Sequence, residues 1–195
     1  RLMRTGLVLA GGHSTRFGDG DKATARVAGA PMVRRVAERV ASVTDELVVN
    51  CRDAQRGRLA AALDGLDYRL AVDPVPDEGP LAGLRTGLRV ARGDAVAAVA
   101  CDMPRADPGL FEELFERAET AAVPRADGHL QPLHAVYDRH AARFACDRTM
   151  ANDSRRLADA LARLDPEVVN VGTDTPFTNV NTSDDLVGVC GTLRG

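Results

Sequence analysis

The residues best suited to chemistry stand near the start of the chain, in the stretch Leu7 to Lys22, LVLAGGHSTRFGDGDK. A short apolar run, Leu7 to Ala10, has the length of a buried parallel strand and breaks at Gly11 and Gly12. Paired glycines let backbone N–H groups approach an anion, Ser14 and Thr15 add hydroxyl donors, and Arg16 and Lys22 supply positive charge, a set that suits a triphosphate. All but one of the 25 basic residues are arginines, and the single lysine, Lys22, sits in this loop. Lys offers a compact point charge where Arg offers a planar fork, and a crowded polyphosphate site is a reason for the exception.

Two other phosphate loops are excluded by spacing. A Walker A loop needs Gly-Lys followed by Ser or Thr, whereas Lys22 lies between Asp21 and Ala23. Gly18, Gly20 and Ala23 satisfy GxGxxA, but they stand well downstream of the strand end where that fingerprint makes its tight turn, so the match is read as chance.

The elements that must position this loop are legible as alternating strands and helices. Buried runs are expected as strands at 46–51 (ELVVNC), 68–72 and 95–100. Between them, Val33, Val36, Val40 and Val43 behind Pro31, then Leu59 and Leu63, then Leu81, Leu84 and Leu88 follow helical spacing. Parallel strands need crossover helices, so the fold class expected is α/β, a three-layer Rossmann-like, mostly parallel sheet with helices on both faces. Ligands of such sheets bind at the carboxyl ends of the strands, where Asn50, Asp73 and Asp102 stand. Asp102, a hard carboxylate at a strand end, is the candidate Mg²⁺ ligand, and Asp21 a second phosphate-side ligand or an orienting partner for Lys22.

The later chain is less regular. Asp107 and Pro108 make a cap and first-turn pair for a helix carrying Leu110, Phe111, Leu114 and Phe115. Thr120 to Pro124 and Leu130 to Tyr137 read as extended around a turn at 126–128. A helix is expected from about Ser154 with Leu157, Leu161 and Leu164, a strand at 167–171, an extended piece at 177–181, and a last helix capped by Thr182 or Ser183.

The loop, together with VVNCR at 48–52, GPLAGL at 79–84, CDMP at 101–104, QPLHAVY at 131–137, SRRL at 154–157 and FTNVNTSDDL at 177–186, resembles the MobA-like nucleotidyltransferases over nearly the whole chain. Phe17 stands for the family's usual Met, and Ser183 for a usual Pro. The resemblance implies a nucleotide-diphospho-sugar transferase-like fold and an enzyme that moves a nucleoside monophosphate from an NTP to a phosphate on a small acceptor. It carries nucleotide contacts onto Leu9, Ala10, Gly11, Gly12, Lys22, Asn50, Asp73 and Asp102. It puts Arg16, Lys22 and Asp102 in catalysis with Mg²⁺, and Arg155, Asn179, Asn181 and His134 toward the acceptor. The leading expectation is GMP transfer from GTP to molybdopterin. The alternatives are cytidylyl transfer, another phosphorylated acceptor, or a non-catalytic nucleotide-binding module; a nicotinamide dehydrogenase is the weakest candidate.

The chain's 195 residues are read as one domain, with an NTP-binding half at about 1–105 and an acceptor-binding half at about 106–195. A net charge of −3 and an aromatic content of 4% argue against a nucleic-acid partner. No apolar run approaches a membrane span, and the start, RLMRTG, is read as leaving no room for a signal peptide, so a cytoplasmic setting is expected, with transient contact to cofactor-supplying or cofactor-receiving proteins. Cys51, Cys101, Cys146 and Cys190 show no metal-site spacing and are read as reduced core thiols. The length, without a hexapeptide-repeat domain, disfavours bifunctional sugar-activating enzymes. His13 is read as a phosphate contact, and His129, His134 and His140 as structural or surface residues.

Overall fold

Apolar runs without alternation, such as ELVVNC and AVAAVA, bury both faces of a strand, and the computed structural model uses them as the middle of a sheet. It describes residues 2–12, 22–181 and 185. In chain order these form β1 (Arg4–Leu9), a small antiparallel pair β2 (Arg26–Val27) and β3 (Ala30–Pro31), α1 (Met32–Ala41), β4 (Glu46–Cys51), α2 (Arg56–Ala62), β5 (Arg69–Val72), α3 (Pro80–Val90) and β6 (Ala95–Ala100). Then come α4 (Pro108–Arg117), β7 (Ala121–Ala126), β8 (His129–Leu130), β9 (His134–Asp138), α5 (Arg139–Ala151), α6 (Leu157–Leu161) and β10 (Glu167–Asn170).

One sheet runs through both halves, in the order β10-β7-β9-β6-β1-β4-β5, with β8 paired to β7. β6, β1, β4 and β5 are mutually parallel, while β9 runs antiparallel between β6 and β7. Successive residues of a strand face opposite layers. Val8 and Val49 therefore pack with α1, α2 and α4, whereas Leu7, Leu9 and Val48 pack with α3, α5 and α6.

The fold is the α/β, mostly parallel architecture expected, and β4 and β6 fall on their expected bounds. The later chain departs in three places. α5, at 13 residues the longest helix described, was not foreseen, because its buried face is Ala142, Ala145, Cys146 and Thr149 rather than a leucine stripe. α6 begins at Leu157, after Arg156 rather than at Ser154. The extended piece expected at 177–181 loses only Phe177, the last residue of a 3-10 turn, Thr175–Phe177, in which Pro176 fixes φ. The expected cap at Thr182 or Ser183 lies outside the described residues. Cys51, Cys101 and Cys146 are buried, and Cys190 lies outside the described residues.

Candidate active site

Three parallel strands end side by side and present their following residues to one cleft. Leu9 is in register with Asn50 on one side and Ala100 on the other, so Ala10–Gly12, Asn50 and Asp102 emerge together. Asp73 follows β5, its backbone N–H donating to Cys51 O at 2.9 Å. The cleft has a volume of about 370 Å³, and every described residue assigned to the nucleotide lines it: Leu9, Ala10, Gly11, Gly12, Lys22, Asn50, Asp73 and Asp102. Arg16, His13 and Asp21 lie outside the described residues.

At two of the cleft glycines a side chain would collide with polar neighbours. A Cβ on Gly11 would come within 2.6 Å of Asp73 Oδ2, and one on Gly83 of α3 within 2.6 Å of Asn50 Oδ1. Both leave room for the polar pair between them. Asn50 is buried, and its Nδ2 donates to Ala71 O at 3.0 Å and Asp73 Oδ1 at 2.8 Å. Burial lifts the Asp73 carboxyl above its ordinary value; the hydrogen bonds from Asn50 and Thr86 pull it back only in part, and the charge of Glu78 adds to the rise.

Asp102 is the joint of the site. Its Oδ2 accepts from Lys22 Nζ at 2.6 Å, and the same ammonium reaches Asn181 Oδ1 at 2.6 Å. The Asp102 backbone carbonyl accepts the Val180 N–H at 2.9 Å, which brings the later segment against the glycine corner. Its other carboxylate oxygen, Oδ1, is buried and has no hydrogen-bond partner among the described residues. No cluster of three or more His, Cys, Asp or Glu side chains suited to a metal occurs among the described residues. A lone carboxylate with one uncommitted oxygen fits Mg²⁺, which takes one or two protein carboxylates and completes its shell with phosphate oxygens and water.

The acceptor-side residues divide. Asn181 reaches Lys22, as above. Arg155 stands at the rim: its guanidinium donates to Met150 O and Ser154 O at 3.3 Å, and Nη2 lies 3.8 Å from Glu78 Oε1, a cleft residue. Asn179 is exposed and does not line the cleft. His134 is turned away: it is fully buried, stacked on Phe111 at a centroid distance of 4.1 Å and met edge-on by Phe177 at 5.2 Å. Burial holds its pKa down to about 3, so the ring is neutral, and its ring partners Phe111 and Phe177 belong to the layer that packs with α1, α2 and α4. His129 and His140 are exposed.

The sequence reading missed Gln55. It is buried, its Nε2 donates to Ala10 O at 2.9 Å, and its Oε1 accepts the Arg52 N–H at 2.9 Å. No local pattern points to it, since the contact joins residues 45 apart. Glu78, also passed over, lines the cleft just ahead of α3.

Comparison with known proteins bears on this geometry. Residues 6–168 match the MobA-like NTP transferase domain. The "Probable molybdenum cofactor guanylyltransferase" of Natronomonas pharaonis is 48% identical over 191 residues, covering 94% of this chain and 95% of the relative. A protein of the same name in Haloferax mediterranei is 42% identical, covering 94% and 91%. Among solved structures, molybdopterin-guanine dinucleotide biosynthesis protein A from Archaeoglobus fulgidus superposes with a TM-score of 0.79 at 24% identity, covering 97% of this chain and 98% of that one. Among the described residues, no helix is long and apolar enough to cross a membrane.

Proposed function

The chain belongs to the MobA-like NTP transferase family, and we propose that it is a molybdenum cofactor guanylyltransferase, moving GMP from GTP to the phosphate of molybdopterin. The observation that carries the reading is the Lys22–Asp102 pair, set beside Ala10–Gly12 where the strand ends converge. The names of relatives that match nearly end to end supply the two substrates.

The chain's own residues account for the chemistry as positioning and charge. The base and ribose lie toward Asn50 and Asp73, between Gly11 and Gly83, and the triphosphate lies along Ala10–Gly12 with Lys22. An oxygen of the acceptor phosphate forms the new bond to the α-phosphorus, the bond from that phosphorus to the α,β-bridging oxygen breaks, and pyrophosphate leaves with the electron pair. A phosphate monoester is already ionised near neutral pH, so no proton need be removed from the nucleophile. Lys22, and Arg16 from the same loop, neutralise the departing pyrophosphate. Asp102 would hold Mg²⁺, which when bound supplies charge neutralisation on the phosphate oxygens. Asn181, tied to Lys22, and Arg155 at the rim receive the acceptor, while Asn179, outside the cleft, is left without that role. The reaction belongs in the cytoplasm, with transient contact to the proteins that deliver the cofactor or take the product.

The test is pyrophosphate release with Mg²⁺ and molybdopterin, run with GTP, CTP, ATP and UTP in parallel. GTP alone should react and give a GMP-linked pterin. Reaction with CTP alone would replace guanylyl by cytidylyl transfer, and no reaction with any of the four would overturn the proposal.

A further inference from the structure

We infer that Gln55 is a positioning residue for nucleotide binding, acting through the backbone of Ala10. This rests on the functional reading above. Ala10 is the first residue past β1, and both of its main-chain groups are tied to the exit of β4: its N–H donates to Asn50 O at 2.9 Å, and its C=O accepts from Gln55 Nε2 at 2.9 Å. Gln55 is itself fixed from two sides. Its Oε1 accepts the Arg52 N–H at 2.9 Å, and its own N–H donates to Arg52 O at 3.0 Å, so the 3-10 turn Asp53–Gln55 presents the carboxamide rigidly.

The neighbouring residues of that turn, Asp53 and Ala54, are exposed, while Gln55 is 2% exposed. An amide buried in this way costs free energy unless both its ends are paired. Here both ends are spent on the two loops flanking the cleft. α2, which follows directly, also packs on the turn Lys22–Thr24, so the same corner backs Lys22. The consequence is preorganisation. With Ala10 C=O held inward, the Ala10–Gly12 backbone keeps one course for the phosphates; without the carboxamide it must be ordered by the nucleotide at the expense of affinity.

Gln55→Met keeps the length and apolar body and removes both hydrogen bonds. Gln55→Glu keeps an oxygen for Arg52 and, only when protonated, offers an O–H to Ala10 O. Titration with GTP, melting temperature and KM for molybdopterin are to be measured for wild type and both variants. Gln55→Met should weaken GTP by about tenfold or more with the acceptor KM unchanged. Gln55→Glu should bind GTP weakly at alkaline pH, where the carboxyl is ionised, and regain affinity relative to wild type as falling pH protonates it, burial shifting that recovery upward from the ordinary carboxylate range. A residue that only supports the fold would lower the melting temperature in both variants with GTP affinity intact and no pH-dependent rescue, and that result overturns the inference. Wild type that binds GTP separates this failure from failure of the functional reading; wild type that binds none overturns both.

Discussion

The two ends of the central sheet carry similar polar residues and treat them differently. At the amino end, Glu46 is almost enclosed, its side chain 8% exposed, and both oxygens are met by donors: Oε1 accepts from Arg69 at 3.0 Å, and Oε2 from the Thr5 hydroxyl at 2.7 Å and the Arg92 N–H at 2.9 Å. Thr5 in turn accepts the Gly93 N–H at 3.0 Å. Burial alone would raise the Glu46 carboxyl, but these donors outweigh it and hold it below its ordinary value. At the carboxyl end, Asp73 sits above its ordinary value and Asp102 keeps a buried oxygen without a partner among the described residues. A satisfied carboxylate stabilises the fold; an under-satisfied one is stabilised by what binds to it. The first end closes the sheet, and the second is built for a ligand.

The comparison is sharpened most by Asp102→Asn. That change should lower kcat by about 10²–10³-fold, the scale of losing a preorganised electrostatic group, while the melting temperature stays within a few degrees of wild type. Steady-state pyrophosphate release and thermal unfolding check it. A wild-type rate would take Asp102 out of the chemistry. At the other end, Glu46→Gln should leave kcat and both KM values alone and cost about 2 kcal/mol of stability, a charge-assisted network losing its ion. For a chain of this size that is a fall of roughly 4–8 °C in melting temperature.

Acidification gives a smaller, graded effect: His134 and Glu46 lower stability as pH falls, and the raised Asp73 carboxyl opposes them within the carboxylate range. His134 is neutral in the native state with its pKa near 3, while the unfolded chain takes up a proton near 6.5, so stability falls as pH drops from 6.5 toward 3. The slope from this one ring is at most about 1.4 kcal/mol per pH unit. Glu46 adds its loss only below about 4.5, as the native carboxylate is titrated. His134→Phe, retaining the stack on Phe111, should flatten the melting temperature between pH 6.5 and 4.5 and leave the steeper fall below that range. An unchanged profile would mean another group dominates.

Much of the functional end was legible in the sequence because it depends on order along strands. Asn50, Asp73 and Asp102 could be placed at strand ends from buried runs alone, and the cleft gathers them as expected. What stayed hidden depends on contacts across the fold. α5 escaped because small side chains bury its face and give no leucine period, although Asp138, which accepts the Ala141 N–H at 2.7 Å, is a recognisable cap. His134 shares a motif with Leu133, which lines the cleft, yet its own ring is enclosed by Phe111 and Phe177. Gln55 looks like any polar residue of a short turn until β1 is laid beside it. The amino-end network is equally silent, since Thr5, Glu46 and Arg69 lie on three different strands.

The measurement that tests the contrast most directly is Asp73→Asn, read for stability and GTP affinity in the same preparation. A raised native pKa means the native state holds the Asp73 proton more tightly than the unfolded chain does, so its charge opposes folding once pH passes above the carboxylate range. An amide removes that charge and still meets Asn50. The account predicts a melting temperature at pH 7.5 equal to or above wild type, together with GTP binding weakened by about tenfold or more. A lower melting temperature with wild-type affinity would contradict it, because Asp73 would then be holding the fold together as Glu46 does.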